Sequence, residues 1–135
     1  QQLARYEQAE AVAQRALHLQ EQRLDHDHPE IAITLNRFAT IYRCQGNYTQ
    51  AEPLYLRALH IREQSGGPHH PKLALILTEL ATLYREQGQC QQAEPLYQRA
   101  LAICKQRLGA DHPLMATILH GLATLPASRK TREHE

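Results

Sequence analysis

Three His-Pro pairs stand at 28–29, 70–71 and 112–113, each 42 residues from the last. A fixed step of that size limits the possible folds more than any other feature of the chain. The pentapeptide Ala-Glu-Pro-Leu-Tyr begins at Ala51 and again at Ala93, the same step apart. Residues 28–67 laid over 70–109 give 22 identities in 40 positions, where unrelated chains of average composition would give about two or three. The register runs on in both directions. Tyr6 to Glu10 matches Tyr48 to Glu52, and His112 to Leu125 matches His28 to Ile41.

Each unit reads as a pair of helices. Pro29, Pro71 and Pro113 sit where the first turn of a helix tolerates a missing N–H. Apolar residues then recur at 35, 38, 39 and 42, and again at 77, 80, 81 and 84; this i, i+3, i+4, i+7 spacing marks one face of a helix. Gly46 and Gly88 follow as residues able to take positive φ. Asn47 is the expected N-cap of the second helix. That helix carries Ala51, Leu54, Tyr55, Ala58 and Leu59, repeated 42 residues later, and it stops near Gly66-Gly67 and at Gly109. The pattern predicts six helices: 3–24, 30–45, 48–64, 72–87, 90–107 and 114–125. Pro53 and Pro95 break a local rule at one shared phase, each removing a hydrogen bond from its helix. A late start or a slight kink on the outer surface would accommodate them.

The residue inventory agrees with an all-α class. Leu (20), Ala (18) and Gln (15) dominate, against one Val and seven Ile, so helix formers abound and sheet formers are scarce. Seven aromatics without a Trp are thin supply for one globular core. A helix pair cannot bury its apolar stripe alone, whereas pairs stacked in register cover one another. Small residues at Ala16, Ala39, Ala58, Ala81, Ala100 and Ala123 would let backbones approach, with Tyr42, Tyr55, Tyr84 and Tyr97 filling the larger gaps.

These residues resemble the tetratricopeptide repeat, in the longer 42-residue form of kinesin light chains. The carrying motifs run from Asp27 to Gly46 and from His69 to Gly88, followed by Ala51 to Ile61 and Ala93 to Ile103. The resemblance covers residues 3–125 and implies a superhelical solenoid of antiparallel helix pairs. It divides the chain into a half repeat at 3–24, repeats at 28–67 and 70–109, a half repeat at 112–125 and a charged tail at 126–135. In the last unit Pro126 replaces the tyrosine found at 42 and 84, so Leu125-Pro126 is expected to close the array.

The resemblance also implies a concave face that holds peptides or partner proteins. On the first helix of each unit a second stripe lies about 100° from the core stripe. It reads Ile33, Asn36, Thr40 and Arg43, then Leu75, Thr78, Thr82 and Arg85, then Thr117, His120 and Thr124. In the family this stripe lines the groove, and Asn36 matches an asparagine that grips an extended main chain. Threonine hydroxyls can donate to or accept from a peptide backbone, and a guanidinium fork suits a carboxylate. The expected ligand is therefore an extended segment with an acidic side chain. The competing reading makes the stripe solvated surface, with Arg43 and Arg85 paired to nearby glutamates.

Catalysis has no candidate set. No phosphate-binding, dinucleotide-binding, nucleophile-elbow or zinc-protease motif occurs. Of nine histidines, His26, His28, His69, His70 and His112 gather at the turns, but only His26 with His28, or His69 with His70, could share an ion. Two ligands make a weak site, so no metal or other cofactor is expected. Three cysteines without a C-x-x-C pair point to a reducing, cytoplasmic setting. Cys90 and Cys104 read as ordinary, partly buried substitutions, while Cys44 lies beside the stripe without a histidine at its phase. A net charge of +1 supplies no attraction for nucleic acid or an anionic membrane, and no apolar run or leader suggests insertion. The chain opens on Gln1 and its one methionine is Met115, which fits a piece or processed form of a longer protein. Val12, Leu17 and Leu24 near one end, with Leu119 and Leu122 near the other, are expected to lack cover. Two rivals to peptide binding follow: copies stacking end to end through those helices, or a regulatory arm of a larger signalling protein.

Overall fold

The computed structural model describes residues 2–25, 28–67, 70–109 and 111–125, without the side chains of Gln2 and Leu3. Six α-helices occupy most of these: α1 Gln2–Arg23, α2 Pro29–Cys44, α3 Tyr48–Gly66, α4 Pro71–Glu86, α5 Cys90–Ile103 and α6 Pro113–Ala123. A π-helical turn, Cys104–Leu108, extends α5. Apart from that turn, every boundary falls within two residues of the periodicity reading. The chain divides into two compact units, Gln1–Gly67 with α1 to α3 and Pro68–Glu135 with α4 to α6.

The His-Pro pair starts α2, α4 and α6 by satisfying every donor of the first turn. Proline at the first position has no N–H to satisfy. At the second, the Glu30 N–H donates to His28 Nδ1 at 3.2 Å, Lys72 to His70 Nδ1 at 3.0 Å, and Leu114 to His112 Nδ1 at 3.1 Å. At the third, the N–H groups of Ile31, Leu73 and Met115 each donate to the same histidine's carbonyl at 2.9 Å. Histidine thus serves as the N-cap, which explains why three of the nine recur at the turns.

The other ends of α2 and α4 close identically. Gly46 and Gly88 have φ of 83° and 82°. Their N–H groups donate to the Arg43 and Arg85 carbonyls at 2.9 and 3.0 Å, and the next residue donates back to Tyr42 and Tyr84 at 2.8 Å. This pair of bonds is the Schellman closure, which needs a residue comfortable at positive φ. Asn47 occupies the expected N-cap position of α3, yet its side chain makes no cap bond. Its Nδ2 instead donates to Gln45 Oε1 at 3.1 Å. Pro53 and Pro95 are exposed, as expected, but the helices already run through them from Tyr48 and Cys90, so neither helix starts late.

Within the first unit α2 packs on α3 and on α1, and within the second α4 packs on α5 and both meet α6. Ala39, Ala51, Ala58, Ala81, Ala93 and Ala100 are all fully buried. Methyl groups at these positions let helix backbones close on one another, while Ile31, Leu35, Leu73, Leu77 and Ile118 fill the space between. Two of the alanines assigned to close approach depart from this: Ala16 is half-buried and Ala123 exposed. Tyr42, Tyr55, Tyr84 and Tyr97 are buried as expected. Pro126 and the charged tail lie outside the described residues; Leu125 before them is buried.

Candidate ligand-binding face

The stripe that follows the core residues on α2, α4 and α6 is not uniform. Ile33 and Leu75 are exposed, as are Thr117 and His120. Asn36, expected to grip a peptide main chain, and Thr78, which stands at its phase in the next unit, are buried at 8% and 2% exposure. The Thr78 hydroxyl donates to the Ala74 carbonyl of its own helix at 2.6 Å, which removes it from the accessible face. Thr40, Arg43, Thr82, Arg85 and Thr124 are half-buried.

Those half-buried groups are tied together by a residue that sequence reasoning had assigned only to gap filling. In the first unit Arg43 Nε donates to Tyr55 Oη at 3.2 Å. Tyr55 Oη lies 2.8 Å from Thr40 Oγ1, and Thr40 Oγ1 donates to the Asn36 carbonyl at 3.0 Å. With the threonine proton used there, the phenol must donate to the threonine, so protons point one way along the relay. The second unit repeats it: Arg85 Nε to Tyr97 Oη at 3.2 Å, Tyr97 Oη to Thr82 Oγ1 at 2.8 Å, and Thr82 Oγ1 to the Thr78 carbonyl at 2.8 Å. Tyr55 and Tyr97 are wholly buried, and a buried phenol that kept no partner would cost about 1–3 kcal/mol. The spacings of 12 and 15 residues recur in both units, and that shared phase was the available signal.

The relay changes the chemistry of the stripe. The threonines are not open rungs, because their hydroxyls already donate inward. The arginines are fixed rather than solvated. Arg85 is held a second time, by Nη1 donating to Thr124 Oγ1 at 3.0 Å, so one guanidinium joins α4, α5 and the C-cap of α6. All its partners are neutral hydroxyls, and it has no carboxylate partner among the described residues. The glutamate pairing considered for Arg85 is therefore not made.

At the other end of the same unit, Leu75 and Thr117 come together. They line a cavity of about 470 Å³ between the starts of α4 and α6, together with Lys72, Leu108, Leu114 and the cap residues Pro71, His112 and Pro113. A mainly apolar recess with Lys72 and His112 in its lining suits an apolar side chain of a chain segment.

Elsewhere little chemistry assembles. No group of three or more metal-ligating side chains occurs among the described residues; His26 and His69 fall outside them. Cys44 is exposed, Cys90 half-buried and Cys104 buried, with burial pushing the Cys104 thiol above its ordinary range. Among the described residues no helix is long and apolar enough to cross a membrane.

Comparison with known proteins agrees with this architecture. A family model described as tetratricopeptide repeat matches residues 1–63, 30–106 and 73–133. No curated protein sequence matches. Among solved structures, BtubC (BKLC) from P. vanneervenii superposes with a TM-score of 0.81 at 25% identity, covering 96% of this chain and 51% of that one. The nearly identical TPR-like repeats of a kinesin light chain from Podosopora anserina give 0.72 at 24% identity, and a point variant of them gives 0.74. In both, 97% of this chain and 62% of the other are covered. The chain thus spans about half to two thirds of the length of these similar structures.

Proposed function

Since the chain belongs to the tetratricopeptide repeat family, whose solenoids of antiparallel helix pairs are generally protein-interaction modules and typically non-catalytic, we propose that it binds an extended segment of a partner protein along α4 and α6. The observation that carries the proposal is Arg85. A half-buried guanidinium held in place by Tyr97 and Thr124, with no carboxylate of its own among the described residues, is preorganised for an acidic group. The cavity at Leu75 and Thr117 supplies the second anchor, for an apolar side chain. Ten helical residues separate Leu75 from Arg85, about 15 Å at 1.5 Å each. An extended ligand covers that in about four or five residues. The ligand reading is thus an apolar residue followed or preceded, at that spacing, by an aspartate or glutamate.

The partner contacts expected of Ile33 and Arg43 in the first unit belong to the same proposal, with Asn36, Thr40 and Thr78, which are buried or already donate within their own helix, as supports for the face rather than contacts. A peptide array in which one leucine and one glutamate are set at increasing separations tests it. Binding should peak at the four-to-five spacing, fall when glutamine replaces glutamate, and weaken with Arg85→Glu. Reversing Arg43 and Arg85 together should weaken it further. Affinity indifferent to both the glutamate and Arg85 would remove the acidic specificity.

A further inference from the structure

The second unit departs from the first where its second repeat helix ends. In the first, α3 keeps α-helical bonding to its close, and the Gly67 N–H donates to the Glu63 carbonyl, four residues back, at 3.0 Å. One period later the Gly109 N–H donates instead to the Cys104 carbonyl, five residues back, at 2.8 Å. The two glycines share a phase and a positive φ, 85° and 95°. The stop is therefore the same, and only the turn before it is wider. Such a π turn is rare, stands mostly as a single turn within an α-helix, and is frequent at functional sites.

A second difference falls on that same turn. Gly66, exposed and without a side chain, closes α3, whereas Leu108 stands at its phase. Leu108 is half-buried and lines the recess that Leu75 of α4 and Leu114 of α6 also line. Among the described residues it is the one lining residue that lies outside α4, α6 and their caps. The π turn is seated on α4, and Cys104 at its base is fully buried, so the turn is fixed at both ends. With ordinary α bonding Leu108 would stand further round the axis by most of one residue's rotation, up to about 100°. It would then leave that wall.

We propose that Leu108 is a specificity-determining residue of the recess, and that the wide turn is what aims it there. Residue and register change together relative to the first unit, and both changes act on one wall. Leu108 closes the third apolar side of the recess, beside Leu75 and Leu114. It thereby selects a branched aliphatic side chain of the partner segment over a small one, because only the larger group reaches all three walls.

This role rests on the peptide-binding reading of α4 and α6, and a double-mutant cycle separates the two. Peptides with leucine or alanine at the apolar position, and glutamate or glutamine at the acidic one, are titrated against the full chain by fluorescence anisotropy. The parent should prefer leucine to alanine about tenfold, from the partial burial of a few methyl-sized groups. Leu108→Ala should cut that preference to about threefold, since one of three apolar walls is lost. Its preference for glutamate over glutamine should stay that of the parent, which also reports an intact fold. Deleting Gln106 leaves Gly109 four residues after Cys104, a span that an α turn bridges. Leu108 then returns to the same wall, and the leucine preference of the parent should persist. An equal leucine preference in the parent and Leu108→Ala would overturn the role of Leu108 and leave the peptide-binding reading standing. So would a fall in both preferences together, the mark of a merely structural residue. Loss of the leucine preference on deleting Gln106 would overturn the role given to the turn. A parent that does not tell leucine from alanine would overturn both readings.

Discussion

Single side chains set the starts and the pinning of the helices. Because His70 Nδ1 accepts from the Lys72 N–H, His70→Ala should lower stability by about 1 kcal/mol, while His70→Asn should keep most of it. Urea unfolding of the two variants checks this; equal losses would mean that the imidazole does not cap. Histidine ranks low among N-cap residues, which is why the caps were not legible until the structure placed all three at the same bond. The positive-φ glycines were legible, since little else fits after a helix at that phase. Tyr42 gives a pH test. Its hydroxyl donates to Glu10 Oε2 at 2.7 Å. Burial, then the bond and charge of Glu10, push its ionisation above the usual value near 10, with Gln14 opposing weakly. A raised phenol contributes stability that is complete below about pH 10 and is lost as pH climbs through the folded-state value, because the unfolded chain ionises first. The urea midpoint should therefore fall above pH 10, and less steeply in Tyr42→Phe. An identical fall in both would assign the effect to the chain's other five tyrosines.

At the level of helices, the periodicity was sufficient to place all six, because a 42-residue repeat supplies each boundary more than once. What it could not supply was how the helices grip one another. Tyr55 and Tyr97 were legible as core residues, but their hydroxyls reach Thr40 and Thr82 across a turn whose geometry a one-dimensional pattern does not encode. For the same reason Thr78 was read as accessible although it is buried. Gly121 shows the grip on the side of α6. A Cβ there would lie 2.4 Å from Tyr97 Cζ and 2.6 Å from its Oη. The ring cannot swing away without breaking its bonds to Thr82 and Arg85. Gly121→Ala should therefore cost stability, by about 1–3 kcal/mol as overpacking usually does, despite the better helix propensity of alanine. Thermal unfolding decides it: a variant as stable as the parent would show that α6 is not seated on Tyr97.

For the whole molecule, the claim is that a family scaffold of paired helices presents one fixed guanidinium, without a carboxylate partner among the described residues, and one apolar recess to a partner segment. Arginine and recess belong to the same unit, so the segment need not touch both units to be recognised. The most direct measurement is amide chemical-shift mapping of the full chain on titration with the leucine–glutamate peptide of best spacing. Shifts should concentrate at Lys72, Leu75, Thr117, Arg85 and Thr124, with the Arg85 Nε resonance moving as the carboxylate arrives. Shifts confined to the outward surfaces of α3 and α5, with Arg85 unmoved at saturation, would contradict the account.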